Sequence, residues 1–130
     1  MATWRDVERI VQSLPDTEIG TGEVRSYAVN GKTYAWERPL RKQDLVALGD
    51  AAPQGAILCV RTPDVGAKEA LLAAAVPGCF TTPHFNGYPA ILIHLTRARV
   101  GDLREVLTEG WLCRVPKKVA KSYLETRPRR

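Results

Sequence analysis

A chain of 130 residues with 45% hydrophobic and 25% charged side chains has the composition of one globular domain, long enough to bury a core without disulfides or metal. No apolar run approaches the roughly 20 residues that span a bilayer, and three widely spaced cysteines (Cys59, Cys79, Cys113) suit a reducing compartment better than a disulfide framework, so the expected location is the cytoplasm. The net charge is +5, and all of the excess lies in the last third: Arg97 to Arg130 holds ten Lys/Arg against four Asp/Glu, the first 96 residues nine against ten. That asymmetry points to an anionic partner, with a solubilising surface as the plainer reading.

In chain order, Met1-Ala-Thr-Trp-Arg-Asp6 opens on a helix pattern rather than a signal peptide. Thr3 with Asp6 forms a capping-box-like start, and Trp4, Val7, Ile10, Val11 and Leu14 repeat at helical spacing up to Pro15. Val24 to Val29 and Lys32 to Arg38 read as strands joined by Asn30-Gly31, the pair that a type I′ turn demands. Arg41 to Leu48 reads as a short helix closed by Gly49, and Ala56 to Arg61 as a third strand. Asp64 caps a helix from Val65 to Ala75, which Pro77-Gly78 stops. Extended segments follow at Cys79 to Thr82 and Ala90 to Leu95. Asp102 opens a helix with Leu103, Val106, Leu107, Gly110 and Trp111 inside. Pro116 suits the first turn of a last helix reaching Leu124, with Val119, Ala120, Tyr123 and Leu124 inward and Lys117, Lys118 and Lys121 outward. The order α-β-β-(short α)-β-α-β-β-α-α predicts an α+β two-layer sandwich with a mainly antiparallel sheet. Residues 1–126 form the expected domain, and 127–130 a basic tail expected to be flexible.

Between the last two strands runs Phe80-Thr-Thr-Pro-His-Phe-Asn-Gly-Tyr-Pro89, where Pro83, Gly87 and Pro89 restrict the backbone around one His and two aromatics. This run, with the apolar strand after it, resembles the signature of the MmcQ/YjbR family of small bacterial proteins. Arg41-Lys-Gln-Asp-Leu45, Cys59-Val-Arg-Thr-Pro-Asp64 and Gly66-Ala-Lys-Glu-Ala70 are similar to its middle section. Asp102-Leu-Arg-Glu-Val-Leu107, Trp111 and Arg114-Val-Pro-Lys-Lys118 are similar to its C-terminal helices. The likeness is weaker at residues 16–28. It implies a "double wing" DNA-binding fold with secretion-chaperone-like topology, α-β(3)-α-β(2)-α plus an extra helix. It implies no catalytic residue.

Residues that could carry chemistry each have a plainer role. His84 reads either as a ligand contact or proton donor on a rigid loop, or as a hydrogen bond that pins its turn, and the hydrogen bond is preferred. Together with Phe85 and Tyr88 it marks a loop site. His94 shares a strand side with Leu92 and belongs to the less buried sheet face. No Cys-x-x-Cys or His-x-x-x-His spacing offers local metal chelation, Glu105 and Glu109 lie on a solvated helix face, and Gly20-Thr-Gly22 lacks the rest of a phosphate loop. No metal and no cofactor is expected. Lys32, Tyr34, Trp36 and Arg38 alternate along one side of their strand, and read either as a basic-aromatic track or, preferably, as core aromatics between strand-end cations.

The expected function is non-enzymatic binding of DNA, largely independent of sequence. Lys117, Lys118 and Lys121 supply phosphate contacts, helped by Arg114 and Arg97, with Arg61 and Lys32 behind them. The alternative is a protein-interaction or chaperone-like module that binds a partner or a second copy on an open sheet face through Tyr27, Val29, Ile57, Cys59, Leu92 and His94. No membrane partner is expected.

Overall fold

The computed structural model describes residues 1–126; the basic tail at 127–130 lies outside them. One antiparallel sheet of six strands runs in the order β1-β2-β3-β4-β6-β5. Its strands are β1 (Glu18–Ile19), β2 (Ser26–Val29), β3 (Lys32–Glu37), β4 (Ile57–Arg61), β5 (Cys79–Phe80) and β6 (Ala90–His94). The helices are α1 (Trp4–Gln12), α2 (Lys42–Leu48), α3 (Val65–Ala73), α4 (Val100–Leu112) and α5 (Lys117–Thr126). The α+β class is as the patterning predicts. The order gains one strand, because Glu18 and Ile19 pair with Ala28 and Tyr27 at the sheet edge.

Local signals explain most boundaries. The Thr3 side chain accepts from the Asp6 N–H, and Asp6 bonds back to the Thr3 N–H, so two of the four orphan donors at the start of α1 are satisfied reciprocally. Asn30 and Gly31 both take positive φ, 54° and 73°, as a type I′ turn requires. Helix α4 begins at Val100, two residues before Asp102, which sits in its first turn where a negative charge favours the helix dipole.

One sheet face carries the main core. Val7, Ile10 and Val11 from α1, Leu14 just after it, and Leu103, Val106, Leu107 and Trp111 from α4 bury against Tyr27, Val29, Leu58, Val60, Ile91 and Ile93. Trp111 is fully buried, and its indole N–H donates to the Pro15 carbonyl at 2.9 Å. Gly110 sets how closely α4 approaches: a Cβ there would stand 2.9 Å from Val60 Cγ1 and 3.0 Å from the Arg61 carbonyl. Helix α5 rests on this side through Val119, Ala120 and Tyr123, with the Tyr123 ring edge-on to Trp111 at 4.8 Å. Leu124 does not join them; it is 52% exposed, because the core ends one residue short of it.

A register shift breaks the alternation expected in β3. Tyr27 pairs with Ala35 and Ala28 with Thr33, leaving Tyr34 as the extra residue of a β-bulge. Tyr34 therefore turns with Ala35 into the main core, where its hydroxyl meets Thr17 Oγ1 at 2.9 Å. Trp36 goes to the opposite face. The expected single-sided row Lys32, Tyr34, Trp36, Arg38 does not form.

Candidate functional site

The second sheet face holds a smaller core. Ile57, Cys59, Ala90 and Leu92 are buried under Phe85, with Trp36, Leu40 and Phe80 partly buried around them. Phe85 comes from the Pro-Gly loop, which enters a single 3₁₀ turn, Pro83–Phe85, and closes with the Tyr88 N–H on the Phe85 carbonyl. Gly87 follows at φ 74° with open space where a Cβ would be. Its requirement is therefore conformational, ~1–2 kcal/mol against an L side chain.

The loop is pinned by a lysine, not by its histidine. Lys68 of α3 is only 4% exposed. Its Nζ donates to the carbonyls of Phe85 and Tyr88, tying both ends of the turn to α3. Burial lowers its pKa, opposed by nearby Cys59 and Glu69. Burial likewise pushes the Cys59 thiol up to about 12, although Arg38 and Lys68 pull the other way; a thiol held neutral at physiological pH is not a nucleophile. His84 is exposed, stands edge-to-face with the Phe85 ring at 5.2 Å between centroids, and makes no hydrogen bond among the described residues. The preferred hydrogen-bonding role for His84 is thus corrected.

A second tie holds α2 over the same face. Arg38 Nη1 reaches Asp44 Oδ2 at 3.1 Å, with the two side chains 7% and 3% exposed. The same Asp44 oxygen accepts the Arg41 N–H at 2.8 Å, and the Arg38 guanidinium lies 5.3 Å from the Phe85 ring centroid. Burial alone would raise the Asp44 pKa, but the Arg41 N–H and the Arg38 charge outweigh it and hold the carboxyl low.

Two open clefts flank this loop. One, about 620 Å³, lies between Ser26, Lys32, Thr33, Trp36, Tyr88 and Arg114. The other, about 480 Å³, lies between Trp36, Arg38, Arg41, His84, the 85–87 turn and Tyr88. They share Trp36 and Tyr88, so they form one groove with an aromatic pair at its middle. Among the described residues no acidic side chain lines either cleft, while Lys32, Arg114, Arg38, Arg41 and His84 do. Arg61 stands beside the pair, its Nη1 donating to the Tyr88 hydroxyl at 3.1 Å and its guanidinium 5.2 Å from the ring centroid. Arg114 brings a buried Nε that has no hydrogen-bond partner among the described residues.

The expected site residues fall into two groups. His84, Phe85 and Tyr88 do come together in the second cleft, joined by Trp36, Arg38 and Arg41. Lys117, Lys118 and Lys121 are exposed on α5, and Arg114, three residues before them, reaches the first cleft. Arg97 is exposed in the turn before α4; the 13 residues of that helix place it about 20 Å along the axis from Arg114. The residues of the supposed open sheet face do not form one. Tyr27 and Val29 face the helices at 0% and 2% exposure, and Ile57, Cys59 and Leu92 are sealed beneath Phe85. His94 is half-buried, with its Nε2 2.7 Å from the Gln54 carbonyl. Sequence reasoning missed Lys68, Asp44 and Arg41. A signal for Lys68 exists: it stands three and four residues before Leu71 and Leu72, in line with the apolar stripe of α3.

The chain is 47% identical over 127 residues to the uncharacterized proteins Rv2570 of Mycobacterium tuberculosis and Mb2600 of Mycobacterium bovis, covering 95% of this chain and 97% of each relative. The chain belongs to the family of these mycobacterial proteins. No family model and no solved structure matches it. Among the described residues no helix is long and apolar enough to cross a membrane, and no group of three or more His, Cys, Asp or Glu stands ready to hold a metal.

Proposed function

We propose that the protein binds nucleic acid without catalysing a reaction on it, and that most of the affinity comes from phosphate contacts. The observation that carries this reading is the groove: Lys32, Arg41, Arg114, His84 and two aromatic side chains line it and, among the described residues, no carboxylate does, while Arg38, also in its lining, is paired with Asp44. A surface of that sign concentrates polyanions and repels acidic partners. The exposed lysines of α5 extend the positive charge beyond Arg114. The resemblance of residues 80–89 to the MmcQ/YjbR signature favours the same reading, and we infer membership of that family on those residues. Cys59 is too buried and too weakly acidic to suggest a reactive thiol.

The test is an electrophoretic mobility-shift titration with two duplexes of unrelated sequence. Changing Lys117, Lys118 and Lys121 together to Glu weakens binding to both alike and leaves the melting temperature within a few degrees, because no apolar contact is removed. Discrimination between the two duplexes by the wild-type protein would contradict a phosphate-dominated interaction.

A further inference from the structure

We infer that the groove across Trp36 and Tyr88 is a site for single-stranded nucleic acid, in which two neighbouring bases stack on the two rings. The inference rests on the nucleic-acid reading above and goes further by naming the strand form and the surface.

Three features combine. The first is the placing of the rings. Trp36 is half-buried and Tyr88 is 43% exposed, and each borders both clefts. An aromatic ring between two hollows can take the face of an unstacked base. It offers nothing to a duplex, whose base faces are already covered by their neighbours.

The second is rigidity. Tyr88 is fixed by Arg61 at its hydroxyl and by Lys68 at its carbonyl, 3.1 Å away. The Trp36 backbone is held in the ladder opposite Cys59 on one side and Ser26 on the other, and its side chain packs partly buried against the core under Phe85. Rings fixed before binding lose little freedom on stacking.

The third is charge on both sides of the pair. Lys32 and Arg114 stand in one cleft, Arg41 and His84 in the other. A backbone passing over the rings therefore meets cations before and after them. Arg114 borders the first cleft, where its positive charge can meet a phosphate. Arg38, by contrast, is neutralised by Asp44 and acts as wall, not as contact.

The bulge at Tyr34 is what makes the site available. Without it, the regular alternation of β3 would put Tyr34 and Trp36 on one face. With it, Tyr34 fills the main core and Trp36 is left to the groove.

The experiment measures fluorescence anisotropy of a labelled oligothymidylate and of a hairpin duplex of equal length, at low and moderate salt. The wild-type protein binds the single strand more tightly. Tyr88→Ala and Trp36→Leu each weaken single-strand binding at least about fivefold and leave duplex binding unchanged. Quenching of intrinsic fluorescence by oligothymidylate is lost in Trp36→Leu, since Trp111 is fully buried and Trp4, half-buried on α1, lines neither cleft. Tyr88→Ala is the decisive variant, because its ring is the more exposed; circular dichroism verifies that it is folded. Equal or tighter binding of duplex, or full single-strand affinity in folded Tyr88→Ala, overturns this inference while the broader reading stands. Binding of polyglutamate as tight as that of oligothymidylate overturns it in favour of an acidic peptide. Binding of neither nucleic acid at low salt sinks both readings.

Discussion

Replacing Asp44 by Ala removes the carboxylate from a pair whose side chains are only 7% and 3% exposed. Arg38 then keeps the Pro39 carbonyl and the Phe85 ring, neither of which carries a full negative charge. Losing one member of a buried pair costs ~3–5 kcal/mol. The Arg41 N–H loses its cap as well, which by itself is worth ~1 kcal/mol. Because the two effects share one side chain they do not simply add, and about 4 kcal/mol is expected. In a domain of this size that lowers the melting temperature by roughly 10–15 °C. Urea unfolding at neutral pH, followed by circular dichroism, measures it. The double variant Arg38→Met, Asp44→Leu should recover much of the loss, since no isolated charge remains buried. The pair also sets an acid limb. Asp44 is held below its ordinary 3.8, so its contribution is complete above that value and disappears as pH falls through the lower folded one. Asp44→Ala therefore flattens the acid limb. A loss under ~1 kcal/mol, the worth of a solvated surface pair, would refute the burial argument.

Gly110→Ala weighs helix propensity against close packing. Propensity alone predicts a gain of ~1 kcal/mol, but contact with the Arg61 carbonyl at 3.0 Å predicts a loss of ~1–3 kcal/mol, so calorimetry should show a lower melting temperature. Ala75→Gly works the other way. Ala75 sits at φ 51° in a Schellman turn, with the Val76 N–H on the Leu71 carbonyl, and glycine there should stabilise by ~1 kcal/mol, raising the melting point by roughly 4 °C. The buried thiols predict alkaline sensitivity. Cys59 is raised from 9.0 to about 12 and Cys79 to about 11, so above pH 9 the unfolded chain binds fewer protons than the folded one and stability falls as pH rises. Chemical denaturation between pH 8 and 10 should show that decline, and Cys59→Ala should make it shallower.

What was legible in the chain was local. The capping box at Thr3, the Asn30-Gly31 turn and the α4 stripe ending in Gly110 and Trp111 each reside in a few adjacent residues, and each took its expected form. The Pro-Gly loop was recognisable as a specified structure, and His84, Phe85 and Tyr88 do line one cleft. What escaped depends on partners distant in sequence. A bulge adds one residue to a ladder without leaving a mark in the strand's composition, so Tyr34 and Trp36 were placed on one side when they belong on two. A buried lysine looks like any surface lysine until its carbonyl partners, 17 and 20 residues away, are known. The strand β1 is two exposed residues completing a sheet edge, too short for periodicity to reveal. Leu124 continues the spacing of the α5 stripe but extends past the core it would need.

The measurement that bears most directly on the account is the affinity for nucleic acid as a function of salt. A groove with cations on both sides of Trp36 and Tyr88 and no lining carboxylate releases counterions when a strand enters. The logarithm of the single-strand binding constant should therefore fall linearly with the logarithm of salt concentration, by about 0.7 per phosphate neutralised. Arg114→Gln should reduce that slope by about one contact. Affinity independent of salt, or no binding of any nucleic acid at low ionic strength, would contradict the account.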